Sequence, residues 1–119
     1  MELIIMPRYR LSCSEFEGFV NNALIDLPDE FQTYLDNVVI VIEDEPPKDM
    51  TDVMGVYEGV PLTDRSIDDT LLPDTIALYK GPIERVCSTP SDFEKEIRKT
   101  VLHEIGHLLG LEEEQLDHL

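Results

Sequence analysis

Two histidines and a glutamate in the last fifth of the 119-residue chain have a spacing that can bind and use a metal ion. They form the segment His103-Glu104-Ile105-Gly106-His107, an H-E-x-x-H pattern. Because residues four apart on a helix project from one face about one turn apart, both imidazoles can reach a single cation. Glu104 is rotated by about 100° from His103, so its carboxylate flanks the cation and can act as a general base. The pattern therefore predicts a catalytic zinc site.

The residues around this pattern predict that it lies on a long helix. Ser91 and Glu94 have the spacing of a capping box just after Pro90, and Gly110 suits the end of a helix. Between them, apolar residues recur at helical spacing: Phe93, Ile97, Val101, Ile105 and Leu108. We expect the two histidines to border this apolar face, where the helix leaves the core and meets a cleft. The alternative is a surface helix on which both histidines are solvated.

A third protein ligand is expected, because catalytic zinc typically has three such ligands and one position for water. Twelve residues follow His107, too few for a ligand from a second long helix downstream. Gly110 allows the chain to turn, and in H-E-x-x-H-x-x-G-x-x-H proteins the residue three past that glycine is a ligand. That residue is Glu113 in this chain, and the same tail contains the rival candidates Glu112, Glu114, Asp117 and His118.

Hydrolysis of a peptide bond is the reaction that these groups predict. A bound zinc ion lowers the pKa of water towards about 7, so that Glu104 can accept a proton while the water attacks a carbonyl carbon. A second hydrogen-bond donor usually stabilises the oxyanion. Tyr57, Arg65 and Tyr79 are candidates for this substrate-binding role, with a structural role open for each tyrosine. The expected substrate is a peptide or a protein.

Two helices and about three strands are predicted before the long helix. Ser14 and Glu17 have capping-box spacing at the start of an amphipathic helix over 14–27, and Pro28 precedes a short helix over 29–35. The remaining segments are strands over 38–42, 54–60 and 75–79, a further short strand allowed over 83–86, and a loop over 63–69. The first strand is an unbroken β-branched run, which suits a strand covered on both faces. This order favours an α+β fold.

Composition limits the other classes of function. The chain has 26 acidic and 9 basic residues and a net charge of −17, which disfavours binding to nucleic acids or to anionic membranes. Its length predicts a single domain over residues 1–119. No stretch approaches the roughly 20 apolar residues of a membrane span, and the N-terminus is unlike a signal peptide. Cys13 and Cys87 are too few for a disulfide framework, so a cytoplasmic protein is expected.

With these residues in view, the chain resembles the small bacterial zincin-like metallopeptidases, which are short single-domain proteins with a minimal zincin fold. The H-E-x-x-H segment is shared by zincins in general, whereas the segment 55–62 (GVYEGVPL), followed by Arg65, narrows the match to this family. Residues 16–24, 27–31 and 38–46 extend the resemblance over nearly the whole chain.

The resemblance implies both a fold and a site. The fold is a small twisted mixed sheet packed against helices, with the active-site helix beneath the cleft. Zinc is held by His103, His107 and an acidic residue at the position of Glu113, and Glu104 is the base. An extended peptide pairs with an edge strand above the metal, and the strand ending at Tyr79 is the candidate for that edge.

Two functions of other classes remain as alternatives to a zinc-dependent peptidase or amide hydrolase. Metal-dependent endoribonucleases that mature ribosomal RNA resemble the tail in using H-x-x-x-H-x-x-G-x-x-H. They usually lack a glutamate after the first histidine, and their motif ends in histidine where this chain has Glu113. The other alternative is a non-catalytic metal-bound module whose cleft serves as a docking surface.

Overall fold

The structure, a computed structural model, describes residues 11–60, 73–111 and Glu114. Its elements, in chain order, are α1 (Cys13–Ile25), α2 (Asp29–Gln32) with a 3-10 turn (Thr33–Leu35), β1 (Val38–Glu43), a second 3-10 turn (Lys48–Met50), β2 (Gly55–Glu58), β3 (Asp74–Tyr79), α3 (Lys80–Val86) and α4 (Pro90–Leu108). The predicted α+β class is confirmed. The segment 63–69, predicted as a loop, lies outside the described residues.

The three strands form one mixed sheet in the order β1-β3-β2. β1 runs parallel to β3, with Val38 opposite Asp74, and β2 runs antiparallel to β3, with Gly55 opposite Leu78. The mixed sheet predicted above is therefore present. However, the prediction that the strand ending at Tyr79 is an edge strand is wrong, because β3 is paired on both sides. Within the described part of the chain, β1 and β2 are the outer strands.

One face of the sheet packs against α1 and α4 to form the core. Ile76 and Leu78, which alternate along β3, are fully buried on this face. They pack with the apolar faces of the two helices, namely Phe16 and Val20 of α1 and Phe93, Ile97, Val101 and Ile105 of α4. The prediction that β1 is covered on both faces is wrong, since Val39 on its other face is 48% exposed.

The N-caps of both long helices, Ser12 and Thr89, lie two residues earlier than the predicted caps. Ser12 accepts a hydrogen bond from the Glu15 N–H at 3.1 Å, and the Glu15 carboxylate accepts one from the Ser12 N–H at 3.0 Å. This contact holds the pKa of Glu15 below its usual value. Thr89 and Asp92 form the corresponding capping box of α4. The predicted pairs, Ser14 with Glu17 and Ser91 with Glu94, have the same spacing but lie inside the helices.

The segment 83–86, for which a short strand was allowed, belongs to the helix α3 that follows β3 directly. Pro82 is tolerated in the first turn of a helix because its missing N–H has no helical partner there. The Gly81 N–H donates to the Asp44 carbonyl at 2.7 Å, and Arg85 forms two hydrogen bonds with Glu45, at 2.6 and 3.0 Å. These contacts join α3 to the residues that follow β1 and favour helix over strand.

Candidate active site

The H-E-x-x-H segment lies in the C-terminal part of α4, as predicted. The helix ends just after it, in a Schellman motif: the Gly110 N–H donates to the His107 carbonyl at 3.0 Å, and the Leu111 N–H donates to the Gly106 carbonyl at 2.9 Å. Gly110 has a φ of 84°, a left-handed conformation that glycine adopts without strain. The sequence prediction that Gly110 ends this helix is thus confirmed, and α4 stops within one turn of His107.

Three side chains of this segment converge on one point. His103, Glu104 and His107 each offer a potential ligand atom, and these atoms lie within 4.8 Å of one another. The two imidazole rings meet edge to face, with centroids 4.9 Å apart. Both histidines are half-buried, whereas Glu104 is only 5% exposed. The alternative of two independently solvated histidines does not describe this arrangement.

The donor set of this cluster fits a zinc ion. Imidazole nitrogens and carboxylate oxygens are its common ligands, at distances of about 2.0–2.2 Å. The separation of the ligand atoms is small enough that side-chain rotations can bring both imidazoles to one ion. The helix is fixed by packing at Val101, Ile105 and Leu108. Because the two histidines lie one turn apart on this helix, the separation between their ligand atoms stays short.

A cavity of about 330 Å³ opens beside His103 and Glu104. α4 forms one wall and the start of β2, with the two residues before it, forms the other. The residues that line it are Val53, Met54, Gly55, Glu96, Lys99, Thr100, His103 and Glu104. The cluster therefore lies at a cleft, in the position that the sequence predicted for it.

Gly55 allows β2 to approach α4 at the cluster. A Cβ atom added at Gly55 would lie 2.9 Å from Cγ2 of Thr100, 3.2 Å from the Ala77 carbonyl oxygen and 3.3 Å from Cγ of Glu104. Any larger residue would push the strand away from the helix or displace the Glu104 side chain. Gly55 is thus a residue of the site, although it carries no functional group.

The two tyrosines predicted as hydrogen-bond donors lie on opposite faces of the sheet. Tyr57 lies on the same face of β2 as Gly55 and donates a hydrogen bond to Oδ1 of Asp74 at 2.9 Å. Tyr79 follows Leu78 and therefore points away from α4. It is 3% exposed, and burial together with the nearby Glu43 and Glu58 raises its pKa. Neither tyrosine lines the cavity beside the cluster, and a substrate-binding role for each stays a prediction.

Two other predicted site residues, Glu113 and Arg65, lie outside the described residues. The same holds for Glu112, Asp117 and His118, whereas Glu114 is described and exposed. A third protein ligand and an arginine donor therefore stay predictions.

One wall of the cavity has a signal in the sequence beyond the predicted site residues. Glu96, Thr100, His103 and His107 are spaced by four, three and four residues, so they lie along one stripe of α4. This stripe leads from the rim of the cavity to the cluster. The opposite wall, at Val53, Met54 and Gly55, depends on tertiary packing and has no comparable signal.

Comparisons with known proteins agree with the fold described above. Residues 35–119 match a family model described as zincin-like metallopeptidase. A solved structure of a conserved hypothetical protein from Thermo thermophilus superposes with a TM-score of 0.59 and 28% sequence identity, covering 83% of this chain and 94% of that one. No curated protein matches the chain significantly. Among the described residues, no helix is both long and apolar enough to cross a bilayer.

Proposed function

Since the chain belongs to the zincin-like metallopeptidase family, we propose that it is a zinc-dependent peptidase in which Glu104 acts as the general base. Family membership by itself indicates a metal-dependent hydrolase. One observation supports the finer assignment: the ligand atoms of His103, Glu104 and His107 lie within 4.8 Å of one another beside an open cavity.

In this proposal the two histidines hold the zinc ion, and Glu113 supplies the third ligand. When bound, the ion would act as a Lewis acid that polarises a carbonyl group and lowers the pKa of water to about 7. Because core packing at Val101, Ile105 and Leu108 holds the helix, the two histidines lie one turn apart on the same face before the ion binds.

Glu104 moves the proton. Its carboxylate accepts a proton from the water that attacks the carbonyl carbon, and it then gives this proton to the nitrogen of the leaving amine. A C–O bond forms and the C–N bond breaks, so no further reactant is needed. The close packing of Glu104 beneath Gly55 and its low exposure support this role, because they restrict the carboxylate to a narrow set of positions.

The substrate in this proposal is an extended segment of a peptide or protein. β2 is the better candidate than β3 for the strand that pairs with it. β2 borders the cavity through Gly55, and within the described strands it is paired with β3 alone. An extended peptide can add to such a strand through main-chain hydrogen bonds.

Metal analysis combined with a cleavage assay tests the proposal. The chain purified without added metal is expected to contain an equimolar amount of zinc and to cleave unstructured peptides, as followed by mass spectrometry. Dialysis against a chelator is expected to remove both properties, and added zinc to restore both. His103→Ala is expected to lose both, whereas Lys95→Ala, at an exposed position of the same helix, is expected to keep both. Cleavage without metal, or zinc retained by His103→Ala, would contradict the proposal.

A further inference from the structure

The segment that joins β1 to β2, residues 44–54, carries part of one wall of the cavity beside Glu104. Its last two residues, Val53 and Met54, line the cavity together with Gly55 at the start of β2. We propose that Arg85 of α3, which lies outside the cavity lining, is a positioning residue for this site: it holds the 44–54 segment and thereby sets the distance between the wall and α4. The inference rests on the proposed function.

Arg85 contacts the beginning of the 44–54 segment through both nitrogens at the end of its side chain. Nη1 donates to Oε1 of Glu45 at 2.6 Å, and Nη2 donates to Oε2 at 3.0 Å. Two parallel hydrogen bonds of this kind fix orientation as well as distance, which distinguishes the pair from ordinary surface ion pairs. The contact holds the pKa of Glu45 below its usual value, so this carboxylate stays ionised at neutral pH.

The same guanidinium group also reaches the end of the segment. Nη2 of Arg85 lies 3.6 Å from Oδ1 of Asp52, the residue just before the wall. Asp52 has a φ of 66°, a left-handed conformation that aspartate adopts more readily than most residues. One side chain therefore connects the two ends of the segment, and its removal would release the turn that leads into Val53.

Backbone contacts place α3 close enough for this role. The Gly81 N–H donates to the Asp44 carbonyl, and a Cβ atom added at Gly81 would overlap Oε1 of Glu45. Glycine at this position thus lets the 44–54 segment lie against α3. At the other end of the segment, the Tyr79 N–H donates to the Met54 carbonyl at 2.8 Å. The wall is therefore joined to the end of β3, while α3 holds the turn before it.

Loosening of the 44–54 segment is expected to weaken substrate binding more than the chemical step. The two histidines and Glu104 lie on α4, which the core fixes through Ile97, Val101 and Ile105. The opposite wall includes the start of β2, the strand proposed to pair with the substrate. A shift of this wall changes the width of the cleft, and with it the affinity for an extended peptide, while the cluster on α4 keeps its geometry.

Steady-state cleavage of an uncharged peptide by the zinc-loaded chain tests this role. Arg85→Ala is expected to raise KM by about three- to tenfold and to leave kcat within about threefold, with zinc still equimolar. Arg85→Lys keeps the charge but cannot form the paired hydrogen bonds with Glu45, so an intermediate KM is expected. Asp52→Asn keeps a residue that tolerates the left-handed conformation, and it is expected to raise KM less than Arg85→Ala does.

Arg98→Ala is the matched control. The Arg98 side chain is 41% exposed, compared with 32% for Arg85, and it joins α4 to Asp26 after α1 and to Glu94 on its own helix. Both alanine variants lose an ion pair between two elements, so a purely structural effect would be similar in the two. Arg98→Ala is expected to keep the KM of the unsubstituted chain.

Amide hydrogen exchange followed by mass spectrometry tests the same contacts without any cleavage. Peptides that cover residues 44–58 are expected to exchange at least about threefold faster in Arg85→Ala and at an unchanged rate in Arg98→Ala. The double variant Glu45→Gln/Arg85→Ala is expected to match Arg85→Ala, because both substitutions remove the same contact.

The outcomes separate the positioning role from the metal chemistry. If either KM or the exchange over residues 44–58 is unchanged in Arg85→Ala, or if Arg98→Ala changes both equally, the positioning role is refuted while the zinc chemistry stands. If the unsubstituted chain cleaves no peptide, the proposed function is refuted and the positioning role with it.

Discussion

Two glutamates of similar burial, Glu84 on α3 and Glu104 on α4, lie in different surroundings. Glu84 is 8% exposed, and its carboxylate accepts hydrogen bonds from Nζ of Lys80 at 3.2 Å and from the Leu11 N–H at 3.3 Å. Glu104 is 5% exposed and lies within a cluster with two imidazoles, at an open cavity.

The difference shows that burial of a carboxylate does not by itself identify a reactive group. Glu84 is matched by a cation four residues earlier on its own helix and by a backbone amide, an arrangement that stabilises packing. Glu104 lines an open cavity and lies beside two imidazoles that could hold a metal ion, which is the arrangement expected of a general base. Experiments on these glutamates, on two glycines and on Cys87 can strengthen or contradict this contrast and the packing around it.

The largest expected effect is on catalysis. Glu104→Gln is expected to lower kcat by about 10²–10⁴-fold, the usual contribution of a general base, while the zinc content stays equimolar. Glu84→Gln, the matched change at the other glutamate, is expected to leave kcat within about twofold. Both are measured by peptide cleavage and metal analysis. Similar losses in the two variants would remove the functional distinction between these residues.

The second effect is on the free energy of unfolding, and here the larger change is expected for a substitution at Glu84. Glu84→Ala is expected to lower the free energy of unfolding by about 2–4 kcal/mol, because it leaves Lys80 and the Leu11 N–H without this acceptor. Glu94→Ala, at an exposed position, is expected to change it by less than about 0.5 kcal/mol. Urea denaturation followed by circular dichroism measures both. Equal midpoints for the two variants would show that Glu84 has no special structural role.

The third effect concerns two glycines. Gly55→Ala is expected to cost about 1–3 kcal/mol through overpacking, and to lower kcat by displacing Glu104. Gly18→Ala, in α1 with nothing within 4 Å of an added Cβ, is expected to stabilise the chain by about 0.5–1 kcal/mol. Denaturation and cleavage assays on both variants give the comparison. A neutral Gly55→Ala would argue against close packing of β2 on Glu104.

The smallest effect is a dependence of stability on pH, which we expect from Cys87, a residue close to Glu84. Burial raises the pKa of the Cys87 thiol, just after α3, to about 11 from its ordinary value of 9.0. Because the folded state disfavours the thiolate, this contribution to stability is complete below pH 9 and is lost as the pH rises towards 11. The urea midpoint is expected to fall over this range by less in Cys87→Ala than in the unsubstituted chain.

Thiol labelling at about pH 8 provides an independent check of the same burial. The exposed Cys13 is expected to react in the folded chain, and Cys87 only after unfolding. Rapid labelling of Cys87 in the folded chain would show that the region around α3 is open to reagents, as the cleft is.

The parts of the fold that depend on local residues were predictable from the sequence. The H-E-x-x-H segment, its helix and the end of that helix at Gly110 follow from spacing within about twenty residues. β1 follows from an unbroken β-branched run. The capping boxes were misplaced by two residues because Ser12 and Glu15 repeat the spacing of Ser14 and Glu17, and the local pattern does not distinguish them.

The parts that depend on distant contacts were not predictable in this way. β3 is central because residues 38–43 pair with it from one side and residues 55–58 from the other, which no local pattern encodes. The segment 83–86 is helical where a short strand was allowed, since Arg85 and Gly81 contact residues after β1. Gly55 was visible in the sequence, but its closeness to Glu104 depends on how β2 crosses α4.

The place of α4 in the chain has a consequence for biosynthesis. A ribosome completes α1 and all three described strands before it makes α4, and α4 supplies Phe93, Ile97 and Val101 to the core. The nascent sheet therefore lacks its main packing partner until the same helix that carries the two imidazoles emerges. Consolidation of the core and assembly of the His103–Glu104–His107 cluster consequently depend on the same segment, so a growing chain cannot assemble this cluster before it has made the helix that completes the core.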